Sequence, residues 1–532
     1  MKIVLVGVPL KHRSFNGANK ALPVLAHALY MGGFENAIQL DLERPDLTIW
    51  EVLREVADTN LVAFCGCLSP QWPEIDAIGQ MVYYYLVKLG RAHVPIIVGG
   101  YAAKSAQDIL EETPWITALF DGEGEEGIVE ITRAVERGTF HEAKRNIHGL
   151  CFIDETGKYR RSIAPRVRNL NPYNQNFGLV YVPSVHDMDI FLTPDGRQLR
   201  TGQVFDQRGC PWACGFCNKS QESPNVVWLS DEAFRQQLRW LKERVGAEAV
   251  YLDVDTATVN REKFLRHAQV IHEERLVWGT NTRIDAIDLE LMQFAAKSGC
   301  VYIFFGVEHL NPGVLVAINK FNGSLPVQLQ RATEYPNLAK RVFQGMKRAG
   351  LPSSYFMLLG LPKVILNESC SIVKYEPASF EDDIATAFFG LDECETDFFN
   401  FNILRFMPGS TAGDVLNHPA FSVVRPSGNN PITGGWFLPR VARKRGYNVP
   451  KNHGVYRLCE SVGHNQPASI GLDAQQIYDT VLRTVDHINA RIDRGMKPTK
   501  LFIDRELLRL GLVKHLENGG YWLAPFKEFE AL

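Results

Sequence analysis

Short apolar runs alternate with amphipathic stretches along the first 145 residues. Lys2–Val8 (KIVLVGV), Leu61–Phe64 and Pro95–Val98 (PIIV) are continuous apolar segments of strand length. Between them, Asn19–Met31 and Pro73–Lys88 carry apolar residues at helical spacing. Unbroken apolar strands are those buried on both faces, and their alternation with helices predicts a doubly wound parallel sheet. Each strand ends in small or polar residues: Gly7-Val8-Pro9, Cys67-Leu68-Ser69-Pro70 and Gly99-Gly100. In open α/β sheets ligands sit outside these carboxyl ends.

The pattern changes after residue 145. Residues 146–200 read as a connector rich in Asn, Pro, Arg and Tyr, with a hairpin at Cys151–Arg161 around Glu155-Thr156-Gly157. From 201 to about 405 a second α/β series begins. Strands are expected near Val204, Val250–Asp253, Val277–Asn281, Val301–Phe305, Tyr355–Leu359 and Phe399–Leu404, with helices such as Asp231–Val245 and Leu289–Ser298 between them. Such a series predicts a partial rather than a closed eight-fold barrel. The remainder is mixed: a Pro/Gly-rich part (Asn429–Gly435), a helix at Ala474–Arg494 and a small C-terminal piece. No internal repeat or low-complexity tract is evident.

Composition narrows the function classes. With 532 residues the chain has room for about three to four domains. A hydrophobic share of 45% and a charged share of 22% belong to a folded protein. The formal charge of −3 offers no electrostatic support for binding nucleic acid or an anionic membrane. No apolar run is long enough to span a bilayer, and the apolar start ends in Pro-Leu-Lys-His-Arg without a cleavage site, as a buried strand would. Ten cysteines are too dilute for a disulfide-stapled fold, so the chain is expected to be cytoplasmic with reduced thiols.

Those cysteines are unevenly placed. Arg208-Gly209-Cys210-Pro211-Trp212-Ala213-Cys214-Gly215-Phe216-Cys217-Asn218 sets three of them at C-x3-C-x2-C spacing. Zinc would call for a fourth Cys or His nearby, and none stands close; a disulfide with a spare thiol conflicts with a reducing compartment. Three thiolates without a fourth ligand suit an iron–sulfur cluster of the 4Fe–4S type with one iron left open. The other seven, Cys65, Cys67, Cys151, Cys300, Cys370, Cys394 and Cys459, read mostly as small buried hydrophobes.

This loop resembles that of radical S-adenosylmethionine (radical SAM) enzymes. The resemblance implies that Cys210, Cys214 and Cys217 hold the cluster and that Phe216 packs near the adenine of SAM. Further strand-end segments follow in the family's order. Tyr251-Leu252-Asp253 offers Asp253 near the SAM pocket, and Thr280-Asn281-Thr282-Arg283 offers Arg283 as a bidentate partner of the SAM carboxylate. Phe305-Gly306-Val307-Glu308 is similar to the family's G-x-E segment, which implies roles for Gly306 and for Glu308 as an acceptor from ribose or amine. The family's separate glycine-glycine-acidic motif is not evident.

The first region resembles the cobalamin-binding domain that precedes many radical SAM domains. The likeness rests on Val98-Gly99-Gly100-Tyr101-Ala102, on Phe120-Asp121-Gly122-Glu123-Gly124 and on Cys67-Leu68-Ser69-Pro70. It implies cobalamin contacts from Pro9, Leu68, Ser69, Gly99, Gly100, Gly122, Glu123 and Gly124. A doubly wound domain that binds a nucleotide or nothing is the alternative on these residues alone. His12 stands where some relatives carry a cobalt-ligating histidine, but the flanking Asp and Gly are missing, so base-off cobalamin without a His ligand is expected.

The expected architecture is therefore α/β. It comprises a Rossmann-like cobalamin-binding domain (1–145), a connector (146–200), a partial (β/α)6 TIM-type radical SAM barrel (201–410) and a C-terminal substrate or cap region (411–532). In that last region Trp436, Tyr456 and His464 are candidates to line a substrate pocket. The resemblance implies a cobalamin-dependent radical SAM enzyme of the class B methyltransferase type. It would methylate an unactivated carbon, or another poorly nucleophilic centre, of a small natural-product precursor. A one-electron reductant such as flavodoxin or ferredoxin would serve it, with no nucleic-acid or membrane partner. A cobalamin-dependent cyclase or ring-rearranging enzyme without methyl transfer is the alternative; a non-catalytic cobalamin or redox sensor is the reading from another class.

Overall fold

The computed structural model describes residues 1–8, 19–44, 46–67, 71–174, 186–192, 197–217, 225–404, 410–414, 419–424, 474–503 and 505–530. These fall into two compact units. Among the described residues, one is built from those up to Gln207 together with Val227–Tyr251, the other from those of Arg208–Val226 and from Leu252 onward.

The first unit contains a seven-stranded sheet in the order β2-β1-β3-β4-β5-β6-β7, formed by β1 (Ile3–Gly7), β2 (Ala37–Asp41), β3 (Leu61–Phe64), β4 (Ile96–Gly99), β5 (Ala118–Phe120), β6 (Leu150–Ile153) and β7 (Tyr159–Arg161). The first five are parallel, with Val4 facing both Ile38 and Val62. Every residue of β1 and β3 is buried, the cause of their unbroken apolar sequence. The strand order reverses direction after β2. Right-handed crossovers then put helices Ala21–Met31 and Glu125–Glu136 on one face and Ile49–Val56 and Trp72–Lys88 on the other. The crevice rule for such sheets points to the carboxyl ends of β1 and β3. The hairpin expected at Cys151–Arg161 exists, and it extends this sheet antiparallel, with Cys151 opposite Arg161. In the same unit β8 (His186–Leu192) runs antiparallel to β9 (Gln198–Val204). Ser230 caps helix Asp231–Val245, and left-handed Gly246 ends it.

The second unit is a curled parallel array, the partial barrel the sequence predicts. After β10 (Ala249–Leu252), at whose last residue this unit begins, come β11 (Val277–Thr282), β12 (Cys300–Glu308), β13 (Ser353–Leu359), β16 (Phe398–Ile403) and β17 (Lys500–Leu501). From β11 on, each of these strands pairs in parallel with the next. Helix caps punctuate the series: Asn260, Asp288 and Ser379 side chains accept backbone N–H groups at the starts of Arg261–Glu273, Leu289–Lys297 and Phe380–Asp392. An antiparallel hairpin, β14 (Pro362–Leu366) and β15 (Ile372–Pro377), interrupts the alternation. The sequence reading did not anticipate it. Helix Ala474–Asp493 is present as expected and packs on Phe380–Asp392.

Of the seven cysteines read as buried hydrophobes, Cys65, Cys67, Cys151, Cys300 and Cys394 are buried. Cys370 is the exception: it is exposed, in a left-handed turn residue of the β14–β15 hairpin where no packing covers it. Cys459 lies outside the described residues. No helix among the described residues is long and apolar enough to cross a membrane.

Candidate functional site

The cysteine loop is held by groups outside it. Gly215 N donates to Ile318 O at 2.8 Å, and Ala412 N donates to Gly215 O at 2.9 Å. Asn319 Nδ2 donates to Ala213 O at 2.8 Å and Asn322 Nδ2 to Pro211 O at 2.9 Å. These bonds pair the carbonyls of Pro211, Ala213 and Gly215 and the Gly215 N–H with groups outside the loop. Gly209 is left-handed (φ 103°), and a Cβ on Gly215 would come within 2.8 Å of the Phe421 ring. Cys214 is buried; Cys210 and Cys217 are half-buried; none of the three is in a disulfide. Burial pushes the Cys210 thiol up, partly offset by hydrogen bonds from Trp212 and Thr256. Among the described residues no three His, Cys, Asp or Glu side chains converge as ligands of one metal ion. A cubane makes no such demand, because each thiolate binds a different iron.

Arg283 follows β11 and is buried against this loop. Its Nη1 donates to Cys214 Sγ at 3.4 Å, and its guanidinium lies 4.6 Å from the centre of the Trp212 ring. Nε and Nη2 each donate to Asp285 at 2.7 Å, and Nη2 donates also to Lys320 O at 2.9 Å. Burial opposes the charge, but the Asp285 bonds and charge outweigh it and hold the Arg283 pKa above its ordinary value. The fork with which the sequence expects Arg283 to grip a ligand carboxylate is engaged by Asp285 in this structure.

Glu308 ends β12 through an irregularity in the ladder. Gly306 pairs with Phe356, but Glu308 rather than Val307 pairs with Met357. The extra residue throws Glu308 into the left-handed region (φ 68°), a conformation costing a non-glycine residue on the order of 1 kcal/mol. Lys320, 2% exposed, holds it there. Its Nζ donates to Gly306 O at 2.7 Å and to Glu308 Oε1 at 3.2 Å. A Cβ on Gly306 would stand 2.6 Å from Glu308 Oε1 and would displace that carboxylate. Asp253 lies one residue beyond β10 and Phe216 one before Cys217; both are half-buried. Thr280 Oγ1 and Asn281 Nδ2 bond the carbonyls of Leu252 and Val254, which fixes the segment carrying Asp253.

At the carboxyl ends of the first sheet, Gly100 is left-handed (φ 121°), and a Cβ there would lie 2.5 Å from Cys67 N. Gly122 (φ 118°) is likewise pressed against Ala164. Internal packing accounts for these two glycines. A Cβ on Gly99 would meet nothing nearer than 3.8 Å, and one on Gly124 would meet Leu25 at 3.3 Å. Glu123 pairs with Arg166 and accepts from Val167 N. Beside it, buried Asp121 is paired with Lys104 at 2.7 Å and Arg161 at 2.8 Å. Pro9, His12, Leu68, Ser69, Trp436, Tyr456 and His464 lie outside the described residues.

The turn Ile318–Asn322 was missed by sequence reasoning, although it supports the cysteine loop, Arg283 and Glu308. Its one local signal is an Asn directly after a helix, Pro312–Ala317, in the left-handed conformation that often ends helices (Asn319, φ 50°).

Residues 204–369 match the Radical SAM superfamily, so this stretch is a radical SAM domain. The anaerobic magnesium-protoporphyrin IX monomethyl ester cyclase of Cereibacter sphaeroides is 27% identical over 253 residues, 45% of this chain and 40% of that protein. The chain thus spans less than half of that relative's length. An uncharacterized methyltransferase of Pyrococcus horikoshii is 27% identical over 345 residues, 63% of this chain and 70% of that protein. Among solved structures, the radical SAM methyltransferase TsrM of Kitasatospora setae, with cobalamin and a 4Fe–4S cluster bound, superposes with a TM-score of 0.58. That alignment is 16% identical and covers 81% of this chain and 82% of that one, a likeness of fold.

Proposed function

We propose that this chain, a radical SAM enzyme by its domain, is a cobalamin-dependent methyltransferase. Its target would be an unactivated carbon, or another poorly nucleophilic centre, of a small natural-product precursor. The observation that carries the reading is the three-thiol loop beside the parallel array, its backbone held from outside and none of its thiols in a disulfide. The donor set fits a 4Fe–4S cluster on Cys210, Cys214 and Cys217. When bound, the cluster and cobalamin would supply one-electron cleavage of SAM and a methyl carrier.

The chain's own residues would do the holding. Lys320 engages one oxygen of Glu308, which leaves the carboxylate oriented to accept from the ribose or amine of SAM. Gly306 keeps that position open, Phe216 would pack on adenine, and Asp253 would face the same ligand. At the first sheet, Gly99 has room for a ligand to approach the backbone. Contacts from Pro9, Leu68, Ser69, Gly100, Gly122, Glu123 and Gly124 complete the proposed cobalamin site, base-off and without a histidine ligand. Trp436, Tyr456 and His464 remain proposed substrate-pocket residues. An external one-electron reductant such as flavodoxin or ferredoxin is required.

The cyclase relative supports a second reading with the same cofactors and no methyl transfer. One experiment separates them. The chain is reconstituted anaerobically with iron, sulfide and cobalamin, then incubated with SAM, reductant and candidate precursors, and products are weighed by mass spectrometry. A gain of one CH2 supports methyl transfer; a loss of hydrogen supports cyclisation. SAM consumption without either would sink both.

A further inference from the structure

Arg283 is anchored on four sides at the cysteine loop. Asp285 takes its Nε and one Nη2 hydrogen, Lys320 O takes the other, Trp212 covers its face, and Nη1 reaches Cys214 Sγ at 3.4 Å. Only 6% of the residue is exposed, so the bond to sulfur operates in a medium of low polarity where little solvent screens it. Long side chains normally lose such geometry to rotamer freedom; here the fork, the ring and the carbonyl have already removed it.

We propose that Arg283 is a positioning residue that sets the reduction potential of the cluster through Cys214, with Asp285 as its counterweight. The inference rests on the cluster assignment made above. Hydrogen bonds to cluster sulfurs and nearby net charge are among the levers by which a protein moves such a potential. An N–H directed at Cys214 Sγ draws electron density from the thiolate and favours the reduced, more negative cluster. The Asp285 carboxylate cancels part of the cation's field and locks the guanidinium to its mark. Arg283 and Asp285 should therefore act with opposite sign. Neither sign follows from a role confined to packing, nor from a grip on the SAM carboxylate.

The test is a redox titration followed by electron paramagnetic resonance. It uses the anaerobically reconstituted full chain without SAM, with iron and sulfide counted for each sample. Arg283→Gln should lower the ratio of reduced to oxidised cluster about tenfold at a fixed poise, a shift of about 59 mV for a one-electron couple. Arg283→Lys keeps the charge but loses the fork; it should shift the ratio in the same direction by less, and it serves if the Gln variant folds poorly. Asp285→Asn should raise the ratio. Midpoints equal to wild type in both Arg283 variants, or an Asp285→Asn shift in the same direction as theirs, would overturn the inference while leaving the cluster in place. A wild-type chain that takes up no four-iron cluster would remove the reading beneath it as well.

Discussion

Lys320 and Glu308, twelve residues apart, form a partly buried contact at the end of a bulged strand: Nζ lies 3.2 Å from Oε1 while also donating to Gly306 O. The ammonium offsets the strain of a glutamate in left-handed backbone and fixes where its carboxylate points. Lys320→Met should leave a partly buried carboxylate without its cation and destabilise the chain by about 2–3 kcal/mol, below the range for fully buried pairs because Glu308 keeps some solvent. It should also raise the KM for SAM about tenfold. Thermal unfolding and steady-state kinetics check both, and unchanged values for each would show the pair to be incidental.

The close approach of Gly215 to Phe421 yields a second expectation. Gly215→Ala puts a methyl 2.8 Å from the ring and should cost about 1–3 kcal/mol, with fewer iron atoms retained per chain. Phe421→Leu in the same chain should restore part of the iron content by making room. Iron counts identical in the single and double variants would show that loop and ring do not press on each other.

Neighbouring glycines of the first sheet should behave differently. At Gly100 a methyl meets the Cys67 backbone at 2.5 Å in left-handed backbone, so Gly100→Ala should lower the melting temperature sharply. Gly99→Ala has room for the methyl and should fold normally. If a corrin lies there, its affinity should drop about tenfold, read from the visible spectrum of the bound cofactor. Wild-type cobalamin affinity in a folded Gly99→Ala protein would remove Gly99 from the proposed site.

Acid should loosen the β14–β15 hairpin from its neighbouring helix. Burial alone would push the Asp382 carboxyl up, but the Lys363 ammonium at 2.8 Å and Ser379 outweigh it and hold it down at about 2, against an ordinary 3.8. A depressed folded-state value adds stability above pH 3.8 that is lost as pH falls toward 2. The stability difference between wild type and Lys363→Met should thus be full at pH 5 and shrink progressively through that window. Urea midpoints across the range measure it; a difference that stays constant would mean the contact contributes nothing ionic.

Local pattern was enough for much of the framework. Unbroken apolar runs at Leu61–Phe64, helical spacing at Asp231–Val245 and turn residues at Glu155–Gly157 each state their conformation within a few neighbours, and the structure follows them. The cysteine spacing is likewise local, because one short loop presents all three thiols. Other features have no local cause. Arg283 could have offered its fork to a ligand; that it is filled by Asp285 and aimed at a thiol 69 residues away depends on how β11 meets the loop. The bulge that turns Glu308, the lysine that receives it, and the asparagines that hold a backbone more than 100 residues distant are choices of partner. Periodicity states which face of an element is buried. Which polar group meets which is decided only when remote segments are packed side by side and each buried donor must find an acceptor.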